Sequence, residues 1–269
     1  METVKKIAGT IALSASLLSG AAAADTFTPV YTFGGVSINN LNWSDGTEDR
    51  SASGAQKRDF NYISFDGGMG FTWGEFYGFF DLENPGQDRD EKDGGDAFRT
   101  AHKVTFHYYL GDTNFTLYSH IYNADSKGFT ETNYLGGMGY RFATESGLWV
   151  KPFIAANYTD SSAAFPSSYP GGKSASFSGY NGMVAGWTAG YAFEVMGQPL
   201  MVTNWNEIEF DRAAEYKASN GDRGVNGAVA LWWTPVEKIT AGIQYRYAEE
   251  KLGVDGYQNA MIYTLKYNF

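Results

Sequence analysis

The sequence predicts a transmembrane antiparallel β-barrel of about twelve strands, following a removable leader. Three observations predict it. The N-terminus carries an export signal, the rest of the chain alternates apolar and polar residues in segments of about ten, and the last such segment ends on Phe269.

Lys5 and Lys6 give a positive start, and Ile7 to Gly20 form a short apolar run centred on Ile11, Leu13, Leu17 and Leu18. Ala22 and Ala24 supply the small pair that a signal peptidase needs, so cleavage is expected between Ala24 and Asp25. The apolar run is too short to anchor the chain in a bilayer. Residues 1–24 are therefore read as a signal peptide and 25–269 as one barrel domain.

Composition supports a barrel over a soluble domain. Tyr, Phe and Trp number 19, 19 and 7, and Gly 33 against 7 Pro, which suits aromatic girdles and crowded strand positions. No apolar run after the leader approaches the length of a membrane helix, and a closed barrel is the other structure that lipid tolerates. Removing Glu2, Lys5 and Lys6 with the leader leaves 29 acids and 18 bases, a net charge of −11. That balance repels nucleic acid and suits a surface beside outer-membrane lipid, lipopolysaccharide and divalent cations. With no cysteine, neither disulfides nor thiol chemistry is possible.

The final strand is the clearest. Met261, Tyr263, Leu265, Tyr267 and Phe269 fall on one face, and Ile262, Thr264, Lys266 and Asn268 on the other. Its aromatic end resembles the signal by which the barrel-assembly machinery recognises its clients. Ile239, Ala241, Ile243, Tyr245 and Tyr247 make a second stripe; Val225, Val229, Leu231 and Trp233 a third. Val104, Phe106, Tyr108 and Leu110 oppose Lys103, Thr105 and His107, and Phe115, Leu117 and Ile121 oppose Thr116, Tyr118 and His120. Leu148, Val150, Ile154, Ala156 and Tyr158 oppose Lys151 and Asn157. Further strands are expected near 29–39, 60–67, 73–82, 132–142, 181–193 and 199–210.

The connections are expected to alternate in length. Short ones fall at Gly67–Gly70, Gly111–Asn114, Ala143–Gly147, Glu194–Pro199 and Thr234–Glu237. Longer polar ones fall at 40–59, 83–98, 123–131, 159–179, 211–223 and 249–256. Short periplasmic turns and long outer loops are the barrel pattern, and an even strand count puts both ends in the periplasm.

Twelve strands spaced about 4.8 Å and tilted about 40° enclose a circle roughly 24 Å across, which side chains narrow to a slot for single small solutes. Parity places Glu75, Tyr77, Phe79 and Asp81 inward, against Phe76, Phe80 and Leu82. Aromatic planes there could stack on a planar base while carboxylates accept hydrogen bonds from hydroxyl or amino groups. Tyr118, Asn204, Trp205, Glu207, Glu209, Gln244, Arg246 and Lys266 are the other lumen candidates. The competing reading is that charges on facing walls pair with one another and touch no solute.

The stretch Trp73-Gly-Glu-Phe-Tyr-Gly-Phe-Phe-Asp81, after the acidic-aromatic Phe60-Asn-Tyr-Ile-Ser-Phe-Asp-Gly-Gly68, resembles a segment of the nucleoside-specific channel-forming (Tsx-type) outer-membrane proteins and their OmpK relatives. The closing Lys266-Tyr-Asn-Phe269 is similar to their end. The resemblance is specific over residues 60–81 and diffuse elsewhere. It implies a monomeric twelve-stranded channel for passive, selective nucleoside uptake, with loops that often serve phage or colicin as a receptor. It carries Glu75, Tyr77 and Asp81 over as lumen contacts.

Other chemistry is set aside. Ser119 and His120 are adjacent in a strand, so they point to opposite faces and cannot form a hydrolase pair; His102 and His107 fail as a metal site for the same reason. Asp88–Asp96 is rich in carboxylates but lacks the spacing of a calcium loop. No cofactor is implied and no enzyme. The alternatives are a general porin, or a receptor or adhesion barrel with a blocked lumen.

Overall fold

A computed structural model describes residues 26–51, 57–90, 96–163, 175–252 and 254–269. The expected leader and its cleavage site lie outside the described residues. Twelve strands follow in chain order: β1 (Tyr31–Trp43), β2 (Phe60–Gly70), β3 (Gly74–Glu83), β4 (Arg99–Tyr109), β5 (Phe115–Ser126) and β6 (Phe129–Tyr140), then β7 (Leu148–Ala163), β8 (Ala175–Val195), β9 (Gln198–Phe210), β10 (Gly224–Val236), β11 (Ile239–Lys251) and β12 (Val254–Asn268). β6 resumes beyond Arg141 as Phe142–Ala143, and both parts pair with β7. Two short helices, α1 (Asp45–Ser51) and α2 (Ala214–Asn220), lie in outer loops.

Each strand pairs antiparallel with its neighbour in sequence, and β1 pairs with β12, with Ile38 opposite Leu265. The sheet thus closes on itself within one chain. No ladder edge is left for lipid to solvate, which is the condition for crossing a membrane with strands.

The pleat decides what faces lipid. Ile38, Val104, Ile154 and Leu265 are 67%, 50%, 49% and 58% exposed on the outer wall, while Ser37, Asn39, Asn157 and Thr159 are buried inside it. Phe76 stacks on Phe106 at 4.4 Å in the girdle near the short turns, and Tyr134 meets Tyr158 edge-on at 6.4 Å near the long loops. Such rings straddle the two interfaces of the bilayer.

All the expected strands form, but several connections differ. The run Gly67–Gly70 is wall, and the chain turns at 71–73. Gly68 and Gly70 are opposite Phe33 and Tyr31, and their missing side chains make room for those rings. The expected loops 123–131 and 249–256 shrink: the strands run to Ser126 and restart at Phe129, and run to Lys251 and restart at Val254. There the β5–β6 and β11–β12 ladders continue although the apolar alternation has stopped. Within the expected loop 159–179, strands continue to Ala163 and restart at Ala175. The turn Met196–Gly197 has positive φ at both residues, 52° and 75°, the twist of a two-residue hairpin turn.

Asn204 faces outward, against expectation. It shares parity with Leu200 and Val202, whereas Trp205 and Glu207 point inward. The Trp187 indole N–H donates to Asn204 Oδ1 at 2.7 Å, Asn204 Nδ2 donates to the Ala228 carbonyl at 2.9 Å, and Asn206 Nδ2 donates to Asn204 Oδ1 at 3.0 Å. The Tyr247 hydroxyl covers Asn206. These mutual bonds leave little polar capacity facing lipid, which is how an amide survives on that wall.

Candidate solute site in the lumen

The interior is divided. Lys103 on β4 and Glu207 on β9 meet at 2.6 Å, and Lys151 on β7 meets Glu75 on β3 at 2.5 Å. Both pairs span the lumen as struts. On one side, the inner faces of β5–β8 are packed: Tyr118, Leu135, Phe153, Ala155 and Val184 form a buried apolar cluster. Tyr118 stacks on Phe153 at 4.2 Å. His120 is buried beside them, its Nδ1 3.2 Å from the Tyr118 hydroxyl.

The other side is packed toward the long loops, where Leu41, Phe60, Ala260 and Ile262 form a second buried cluster on the inner faces of β1, β2 and β12, and it opens toward the short turns. Phe33 and Tyr77 are 46% and 40% exposed on the inner wall, and their rings lie near-parallel at 6.2 Å. Phe79, Asp81, Trp205, Gln244, Arg246 and Lys266 are half-buried on the same inner surface. The exposed inner-wall rings therefore lie on β1 and β3, toward the short turns.

Glycines seat rings flat on the inner wall, both on the more open side and at the β7–β8 edge of the packed side. Phe33 is the cross-strand partner of Gly68, Trp149 of Gly190 and Trp232 of Gly242. A Cβ at Gly68 would lie 2.6 Å from the Phe33 ring, and one at Gly190 2.6 Å from the Trp149 ring. Each ring lies flat against its wall because its partner has no side chain. A flat ring presents its face to a passing solute and leaves the path wider than an upright one.

The expected site residues thus separate. Glu75, Glu207 and Tyr118 are committed to packing. Glu75 receives Tyr31 and Tyr109 hydroxyls at 2.8 and 3.2 Å in addition to Lys151. Glu209 pairs with Arg212 and Lys251, and Lys266 with Asp66 at 2.5 Å. Tyr77, Phe79, Asp81, Trp205 and Arg246 line the open side. Asp81 and Arg246 point inward from β3 and β11 and form no ion pair among the described residues. Asp81 Oδ1 is buried with no hydrogen-bond partner. Arg246 donates to Asn226 Oδ1 at 3.0 Å and lies over the Trp205 ring at 5.2 Å. Sequence reasoning missed Phe33, Trp149 and Trp232; the signal was a glycine directly across the hairpin from each.

The set-aside motifs follow the same parity. Ser119 is on the outer wall and His120 on the inner. His102 stacks outside on Phe80, while His107 bonds Thr116 inside. In the acidic loop 88–96, Arg89 pairs with Asp125 and Asp96 with Arg58, while residues 91–95 lie outside the described residues.

A closed twelve-stranded tube with an open inner sector is what a channel requires. Residues 38–269 match the family model of the nucleoside-specific channel-forming protein Tsx. The chain belongs to this family. A porin, NanC, is similar in structure at a TM-score of 0.51 and 11% identity, with 86% of this chain and 98% of that one covered. The KdgM porin is similar at a TM-score of 0.43 and 8% identity, covering 87% and 99%. The first likeness bears on fold alone. Fold and family together make this member of the Tsx family a passive channel of the Gram-negative outer membrane.

Proposed function

We propose that this channel passes nucleosides selectively by lodging them between Asp81 and Arg246. The observation that carries this reading is that Asp81 Oδ1 is buried on the inner wall of β3 with no hydrogen-bond partner, while neither Asp81 nor Arg246, inward on β11, forms an ion pair among the described residues. Tyr77, Phe79 and Trp205 supply aromatic faces beside them. A ribose hydroxyl or exocyclic amine would satisfy the orphaned Asp81 Oδ1, a base carbonyl would accept from Arg246, and the base would stack on an aromatic ring. An apolar or singly polar solute would leave one of these groups unmatched.

We read the protein as a monomer and as no enzyme. Closure of the barrel within one chain supports the first. The opposite facing of Ser119 and His120 supports the second.

The test is single-channel conductance in a planar bilayer, titrated with adenosine, thymidine and a sugar of similar size. Saturable block by the nucleosides alone, weakened in both Asp81→Asn and Arg246→Ala, is the expected result. Equal response to all three solutes would make the protein a general porin, and a silent channel a receptor barrel. Full block in both variants would move the site elsewhere in the lumen.

A further inference from the structure

The outer loop between β9 and β10 does not stand away from the barrel. Residues 211–223 fold over its extracellular end, and a single side chain organises them. Arg212 is 3% exposed. Its Nε and Nη2 donate to Glu209 Oε2 at 3.1 and 2.7 Å. Its Nη1, with two N–H groups, lies within hydrogen-bond reach of the carbonyls of Asn220, Gly221, Arg223 and Glu250, which share those donors; the last belongs to β11. The other Glu209 oxygen pairs with Lys251, also on β11.

The far end of the loop is tethered to other strands. The Tyr216 hydroxyl, on α2, donates to Glu131 Oε2 on β6 at 2.9 Å, and its ring packs edge-on against Phe177 of β8 at 5.5 Å. The Ala213 N–H donates to Asn181 Oδ1, also on β8, at 3.1 Å. Tyr216 is itself buried at 6% exposure. β6 and β11 are five places apart in a closed ring of twelve strands. A segment fixed to both follows a chord near the diameter and not the rim.

We infer that residues 211–223 form a fixed strap across the extracellular mouth, with Arg212 as its positioning residue, and that this strap sets the largest solute admitted. Size selection then occurs at the entrance, apart from whatever chemistry the lumen wall applies below. The inference rests on the channel reading and is independent of which solute binds at Asp81 and Arg246. A guanidinium suits the role because its five N–H groups can serve a carboxylate and several carbonyls at once, which an ammonium cannot do. Burial beside Glu131 holds the Tyr216 hydroxyl well above its usual range, so it stays a donor at any ordinary pH.

The experiment uses the whole refolded protein. Arg212→Ala, shown to be folded by heat-dependent gel mobility, is compared with the unaltered channel for conductance and for entry of a graded series of linear oligosaccharides into liposomes. The expected result is a higher conductance and entry of a longer oligomer than the unaltered channel admits. Folded Arg212→Ala with the same conductance and the same size limit would overturn the inference. If that variant does not assemble, Tyr216→Ala releases the far tether alone; a raised size limit supports the strap and an unchanged one overturns it.

Discussion

Lys103 Nζ and Glu207 Oε1 lie 2.6 Å apart although their strands, β4 and β9, are five places apart around the ring. The pair therefore bridges the barrel interior. Its side chains are only 16% and 14% exposed, so the contact is partly desolvated, unlike a surface ion pair. His120 Nδ1 lies 3.8 Å from the same carboxylate oxygen and backs the strut from the packed side.

Breaking this strut from one side leaves the other charge stranded. Lys103→Met or Glu207→Leu alone is expected to cost roughly 1–3 kcal/mol of stability, less than a fully buried pair because the open sector admits water. The double variant is expected to cost less than the two singles added together. Urea unfolding from lipid vesicles measures all three; strictly additive losses would show that the two groups do not act as a pair.

The flat seating of Phe33 depends on Gly68. Gly68→Val places a side chain where the ring now lies, since even a Cβ would come within 2.6 Å of it. The ring must stand away from the wall and narrow the path. Lower single-channel conductance in a folded Gly68→Val barrel is expected, and unchanged conductance would mean that Phe33 does not border the conducting route.

Leu265 is 58% exposed on the outer wall of β12. Leu265→Arg is expected to impair insertion by about 2–4 kcal/mol if the position lies near the bilayer midplane. Folding yield into vesicles reads this directly. Wild-type yield would place Leu265 near an interface instead.

Outside the membrane, burial and the neighbouring Arg99 lower the Lys57 ammonium from 10.5 to about 8. Folding thus disfavours the charged form. The penalty is complete below pH 8 and disappears as pH rises toward 10.5, so docking of Lys57 against the Leu252 carbonyl gains stability over that window. Amine methylation followed by NMR titration should give Lys57 a midpoint near 8 in the folded barrel. A midpoint above 10 would mean that the amine stays in water.

Strand positions and facing were legible because the pleat is local. Met261, Tyr263 and Leu265 point to lipid for no reason beyond their spacing, and the same rule gave Glu75, Tyr77, Phe79 and Asp81 their inward face. Asn204 was misplaced against that very rule: it is one residue from Trp205 and must face the other way. The upper parts of β5, β6, β11 and β12 were read as loops because the alternation that betrays a strand exists only where one face meets lipid.

The sequence by itself determined that this chain forms a closed outer-membrane barrel of twelve strands, and which side chains enter its interior. Both follow from a repeat of two residues along each strand and from the need to satisfy every backbone group in lipid. Only the tertiary structure decided what those interior groups do. Whether Glu75 holds Lys151, or Asp81 Oδ1 is left without a hydrogen-bond partner, depends on which strands face each other after closure, a relation between residues tens of positions apart that no local spacing carries. The same is true of the strap, whose anchors on β6, β8 and β11 come together only once the barrel has closed.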